Sequence, residues 1–165
     1  HEMTHAFDDQ GAQFDKDGNV TNWWTKDDYA RFKAKTQQVV DLYSTFTVLD
    51  TMHVKGALTL GENTADVGGV SIAYDAFKLT PQGHDTTTLI GGFTADQRFC
   101  IPIARIWRVK MKDAFLRYWI NKNPHSPPMW RVNGPLMNMP YFHRAFNIQP
   151  ADKMFVAEKD RIKIW

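Results

Sequence analysis

A mainly α-helical single domain is the fold class that the sequence predicts, and three observations carry it. Apolar residues recur at helical spacing over several long stretches. Thr25 and Thr94 stand where helix N-caps belong. Prolines at 124, 127 and 128 punctuate the pattern, and no internal repeat, low-complexity tract or interdomain linker divides it. The 165 residues fall within the roughly 100–200 of one domain and suffice to bury about 70% of the unfolded surface.

The elements follow in chain order. Residues 1–14 read as a helix running into a polar turn at Asp15-Lys16-Asp17-Gly18-Asn19, where Asx side chains bond nearby backbone and Gly accepts positive φ. The turn resembles a calcium loop, but no glutamate follows at the required spacing. Thr25 caps a helix to about Ser44, with Phe32, Val39, Tyr43 and Phe46 as its core stripe. A third helix starts near Glu62 and runs through Ala65, Asp66, Val70, Ala73 and Phe77. Thr94-Ala95-Asp96-Gln97 is a capping box that opens the longest helix. Its face is Phe99, Ile103, Ile106, Trp107, Met111, Phe115 and Tyr118, with Pro102 expected to kink it. Residues 124–128 form a loop, Pro135 to Phe146 gives a last short helix, and the tail around Ile162 and Ile164 alternates as an extended segment would.

Composition removes several function classes. A 43% apolar, 13% aromatic chain is neither disordered nor collagenous. Twenty Lys+Arg against eighteen Asp+Glu give no reason to expect a nucleic-acid partner. No stretch reaches the ~20 apolar residues of a membrane span. One cysteine makes no internal disulfide, and Cys100, on an apolar helical face, reads as a buried small hydrophobe rather than a nucleophile. The chain begins at His1 rather than Met, so it is expected to be processed or to belong to a longer polypeptide.

The chemistry concentrates at the start. His1-Glu2-Met3-Thr4-His5 is an HExxH pattern. On an α-helix, positions i and i+4 lie about 40° apart, so two imidazoles can share one ion, and neutral imidazole suits Zn²⁺. Glu2, about 60° from His5, stands beside the ligands, where it can take a proton from water activated by the metal. The run Gly61-Glu62-Asn63-Thr64-Ala65-Asp66 offers a carboxylate at a second helix start and another one turn on. Glu62 would complete a His₂Glu catalytic site, while Asp66 and Asp8 would hold the second ring nitrogens of the histidines. The plainer alternative is that Glu62 and Asp66 merely favour a helix N-terminus. A copper site built on an N-terminal His is the other metal chemistry. The spacing to His5 and the presence of Glu2 and Glu62 favour hydrolytic zinc instead.

The runs HEMTHAFDDQGAQFDKDGNVTNWW, GENTADVGG and HSPPMWRVNGPLMNMPYFHRAF, in this order, resemble the neprilysin family of zinc metallopeptidases, from His1 to Trp165. That family includes the endothelin-converting enzymes and bacterial oligopeptidase O. The resemblance implies that His1, His5 and Glu62 bind one zinc per chain, that Glu2 is the catalytic glutamate, and that Asp8 and Asp66 orient the histidines. It implies that His125 stabilises the oxyanion, that Arg131 holds a substrate carbonyl, and that Trp107 and Val132 line the apolar pocket beyond the cleaved bond. The implied fold is the helical, C-terminal catalytic region of a two-domain gluzincin. The expected partners are short peptides and an upstream domain absent from this chain, whose loss should leave apolar surface exposed. Vertebrate members carry cysteines where this chain has Arg108 and Asn147. That departure points toward the bacterial members, oligopeptidase O above all, and leaves the compartment open between periplasm and cytoplasm. The activity expected is hydrolysis of peptide bonds, the alternative an inert metal-binding fragment of such an enzyme.

Overall fold

The computed structural model describes residues 1–165. Two 3₁₀ turns, Thr4–Phe7 and Gly11–Gln13, precede α1 (Lys26–Ser44), a short hairpin β1 (Thr47–Leu49) and β2 (Met52–His53), and α2 (Leu60–Lys78). Then come α3 (Pro81–His84), α4 (Ala95–Ile106), α5 (Asp113–Lys122), α6 (Pro128–Leu136), α7 (Pro140–Ala145) and a final 3₁₀ turn, Glu158–Asp160. The fold is mainly helical, as the periodicity predicts.

Helix α1 begins where Thr25 accepts a hydrogen bond from the Asp28 amide, and Asp27 and Asp28 complement the dipole of its first turn. Its buried stripe is Phe32, Thr36, Val39 and Tyr43. Helix α2 behaves differently. Residues Asn63 to Gly68 are all buried, whichever way they point, so its first half is wrapped on every side, as expected of a central helix. It packs against α1, α6 and the first 3₁₀ turn. The shared core joins Val39 and Tyr43 to Val67, Tyr74, Val132 and Leu136, and the tail closes it with Ile162 and Ile164. Tyr74 stacks on Tyr141 at 3.5 Å and Phe46 on Trp130 at 4.0 Å.

Three expectations need correction. The first segment is not an α-helix: two 3₁₀ turns divide it, and His1 and Glu2 precede the first. Here Asp8 turns its Oδ1 onto the Gln10 and Gly11 amides, a local bond that competes with helix continuation. The longest helix also breaks. The capping box is present and Pro102 is accommodated, but α4 stops at Ile106. Trp107 leaves the helical conformation and lays its ring on Arg131, with the guanidinium carbon 4.2 Å from the ring centroid. A new helix, α5, then buries Ile120 and leaves Phe115 and Tyr118 exposed.

Third, the proline loop ends early. Pro128 opens α6 at the first turn, where its missing N–H costs nothing, and Pro135 lies within the same helix. Met139 then separates α6 from α7, so two helices stand where one was expected. The tail is extended as expected, with Ile162 and Ile164 buried, and it is fastened by the Ile162 amide donating to Asn138 Oδ1 and by Lys35 donating to the Ile164 carbonyl. The Asp15–Asn19 segment is the turn expected, its Asp15 Oδ1 accepting from the Asp17 and Asn19 amides and Gly18 at φ 81°. Ile72, Leu79 and Ile106 are exposed.

Two tests follow from this packing. A Cβ at Gly134, inside α6, would run into the hydroxyl of the fully buried Tyr43. Gly134→Ala should lower stability in thermal or urea unfolding by about 1–2 kcal/mol, because overpacking against a fixed ring outweighs the helical gain from alanine. Burial pushes the Cys100 thiol up to about 12, so iodoacetamide at pH 8 should leave it unmodified in the folded chain and label it after denaturation.

Candidate metal centre

The first turn and α2 meet over Gly69, where a Cβ would lie 2.8 Å from the His1 Cα. Only a residue without a side chain lets the two backbones approach this closely. The approach sets His1 and His5 over the start of α2 in spite of the 3₁₀ geometry. Their Nε2 atoms lie 3.1 Å apart. Glu62 Oε2 is 3.3 Å from His1 Nε2, and Oε1 is 3.7 Å from His5 Nε2.

Each imidazole is oriented from behind. His1 Nδ1 lies 2.8 Å from Asp66 Oδ1, and His5 Nδ1 lies 2.7 Å from Asp8 Oδ2. Asp8 and Asp66 are both buried, and the local amide bonds described above hold Asp8 in place. Carboxylates at Nδ1 keep the proton there, so the Nε2 lone pairs of both rings aim at one point. The Asp66 hydrogen bond raises the His1 imidazole above its ordinary value, against the opposing effect of burial.

These donors fit a metal ion. Two neutral imidazole nitrogens and one carboxylate are a zinc ligand set. Ligands about 2.0–2.1 Å from a tetrahedral ion stand roughly 3.3–3.4 Å from one another, close to the separations of 3.1, 3.3 and 3.7 Å found here. Glu2 lies outside this triangle. Its Oε1 is 3.9 Å from His1 Nε2 and its side chain is 91% exposed, which places it on the open side of the cluster. One donor atom from each of His1, Glu2 and His5 falls within 4.8 Å of the other two.

The remaining candidates divide. His125 reaches the cluster, with Nε2 3.3 Å from Glu62 Oε1 and Nδ1 2.8 Å from Asn123 Oδ1. Arg131 is buried, and its Nε and Nη2 grip Asp66 at 2.8 and 2.9 Å, while Nη2 also lies 3.5 Å from Glu62 Oε2. Its Nη1 makes no hydrogen bond within the chain. Trp107 lines a cavity of about 510 Å³ beside His1, Glu2 and His125. Val132 does not line that cavity: it is 8% exposed and belongs to the core.

Phe99, Ile103 and Val70 line the cavity in its place. Their helical spacing marks them only as an apolar stripe, and nothing local separates a stripe that lines a cavity from one that meets another helix. Asn123 is the other residue missed, although an Asn two positions before a His is a common turn former whose side chain folds back on the backbone.

Comparison with known proteins places the chain in a family. The family described as Peptidase family M13 matches residues 1–162. An endothelin-converting enzyme homolog of Locusta migratoria is 40% identical over the whole chain, and the neutral endopeptidase of Lactococcus lactis 34%. The chain spans 23% and 24% of their lengths. Among solved structures, the zinc metalloprotease Zmp1 of Mycobacterium tuberculosis, in complex with an inhibitor, superposes with TM-score 0.94 at 40% identity. PEPO of Lactobacillus rhamnosis superposes with TM-score 0.88 at 33% identity. Each structure covers the whole of this chain, which in turn covers 26% and 24% of them. The likeness therefore extends beyond oligopeptidase O and beyond bacteria, to insect, nematode and mammalian proteins. The chain belongs to peptidase family M13, the neprilysin family of zinc metalloendopeptidases.

Proposed function

We propose that residues 1–165 are the C-terminal catalytic region of a peptidase that hydrolyses short peptides at one zinc ion held by His1, His5 and Glu62. The observation that carries this reading is the convergence of two imidazoles and the Glu62 carboxylate, with contacts of 3.1, 3.3 and 3.7 Å between them and each histidine backed by its own carboxylate. When bound, zinc supplies a Lewis acid that makes water nucleophilic at neutral pH and polarises the scissile carbonyl.

The other groups belong to the chain. Glu2, on the open side of the cluster, accepts the proton of the attacking water and returns it to the leaving nitrogen. His125 and the free Nη1 of Arg131 are the donors for the oxygen that becomes negative, a role worth roughly 10²–10³-fold in rate per donor. Bidentate bonding to Asp66 restrains the guanidinium, so little reorganisation is needed when that charge develops. Burial is the largest single influence and opposes the Arg131 charge, but the Asp66 hydrogen bonds together with the attraction of the Asp66 and Glu62 carboxylates hold the guanidinium above its ordinary value. The cavity lined by Trp107, Ile103 and Phe99 favours an apolar substrate side chain beside the bond to be cut.

A second reading is a zinc-binding region without turnover of its own. The observation favouring it is that the chain spans about a quarter of its relatives' lengths. Assay of these 165 residues on a peptide library separates the two, since chelator-sensitive cleavage would reject it.

Within the natural polypeptide that carries this chain, Glu2→Gln should retain one zinc per chain and lose at least a thousandfold in kcat. Substantial residual cleavage would remove Glu2 from the mechanism. Asp8→Asn and Asp66→Asn should each weaken zinc affinity by roughly 10–100-fold, read by competition with a chromogenic chelator.

A further inference from the structure

A chain of hydrogen bonds, buried over its first two links, ties the His125 loop to α2, and the chemistry proposed above leaves it unused. Ser126 Oγ donates to Asn63 Oδ1 at 2.6 Å, Asn63 Nδ2 donates to Thr59 Oγ1 at 2.8 Å, and Thr59 Oγ1 donates to the Lys55 carbonyl at 3.1 Å. Ser126 and Asn63 are 0% exposed and Thr59 is 3% exposed. Ser126 follows His125 and Asn63 follows Glu62. One side-chain bond therefore joins the two residues whose neighbours face each other at 3.3 Å, His125 Nε2 and Glu62 Oε1.

Other contacts leave the loop little freedom. Trp119 Nε1 donates to the His125 carbonyl at 2.8 Å, and the His125 amide donates to Asn123 Oδ1 at 2.9 Å. Pro124 and Pro127 fix φ on either side of the His-Ser pair. Burying a hydroxyl and an amide where apolar groups could pack gives little net stability, because both must first lose their water. What the pair provides is one register, since displacing either partner leaves a buried polar atom unpaired.

We propose that Ser126 and Asn63 are positioning residues, a latch that holds the His125 imidazole against the Glu62 end of the metal centre. The proposal rests on the peptidase reading for its kinetic consequence, and on geometry alone for its effect on the loop. Both parts are open to test in the natural polypeptide that carries this chain.

Ser126→Ala and Asn63→Ala should lower kcat by roughly 10–100-fold, the usual scale for partners one step removed from reacting groups. KM and zinc content should stay near wild type. In a His125→Ala background the same substitutions should have almost no further effect, because nothing is left to position. Equal losses with and without His125, or no loss at all, would overturn the latch. Should either alanine variant fail to fold, Trp119→Phe removes the bond to the His125 carbonyl from a half-buried site and should show the same dependence on His125. Hydrogen exchange provides a readout that needs no activity: the amides of Asn123, His125 and position 126 should exchange faster in Ser126→Ala, while those of α2 do not. Unchanged loop exchange would refute the latch even if the wild type cleaved no peptide, an outcome that would sink the peptidase reading separately.

Discussion

Asp66 is the residue on which the rest of the site depends. One oxygen lies 2.8 Å from His1 Nδ1, and both oxygens are gripped by Arg131. Through this single carboxylate the first turn, the central helix α2 and helix α6 become one body. Arg131 extends the connection to the end of α4 by lying against Trp107. A buried ion pair of this kind adds little net stability, since desolvation offsets attraction, but losing one partner leaves a buried charge costing about 3–5 kcal/mol. Its value is therefore geometric. It sets where His1, Arg131 and Trp107 stand relative to one another.

The Asp66 arrangement explains why α2 is buried on all sides over Asn63 to Gly68. One face presents Glu62 and Asp66 to the histidines, another presents Asn63 to the His125 loop, and Val67 enters the core. A helix that serves so many neighbours has little room for bulk, and Gly68 and Gly69 sit where Trp165 and His1 press closest. The short residues of this stretch are thus a packing requirement of the site as much as a helical preference.

What could be read from the sequence followed a physical division. The meeting of His1, His5, Glu62, Asp66 and Asp8 was legible because ligand chemistry restricts both residue type and chain spacing. The capped starts of α1 and α4 were legible for the same local reason, with Thr25 and Thr94 bonding amides three residues on. The break after Ile106 was not, because there Trp107 leaves the helix and meets Arg131, a residue distant in sequence. Nor was the 3₁₀ form of the first segment, where Asp8 captures amides that a regular helix would engage otherwise. Val132 was assigned to the cavity by resemblance alone. Its helix turns it into the core, and residues of α2 and α4 form the wall instead. The hairpin of β1 and β2 left only a faint trace, an Asp50 at φ 47° in its turn.

The 3.1 Å separation of the two Nε2 atoms has an energetic consequence. Two lone pairs held that close repel, and only a shared proton or a cation relieves them. Taking up the metal is then an exchange in which an ion displaces a proton, so affinity must decline in acid. It is also a contribution to folding, because the unfolded chain offers no such preassembled cluster and the bound ion pulls the equilibrium toward the folded state. The turn that carries His5, short and partly exposed, would then gain further order from an ion held there.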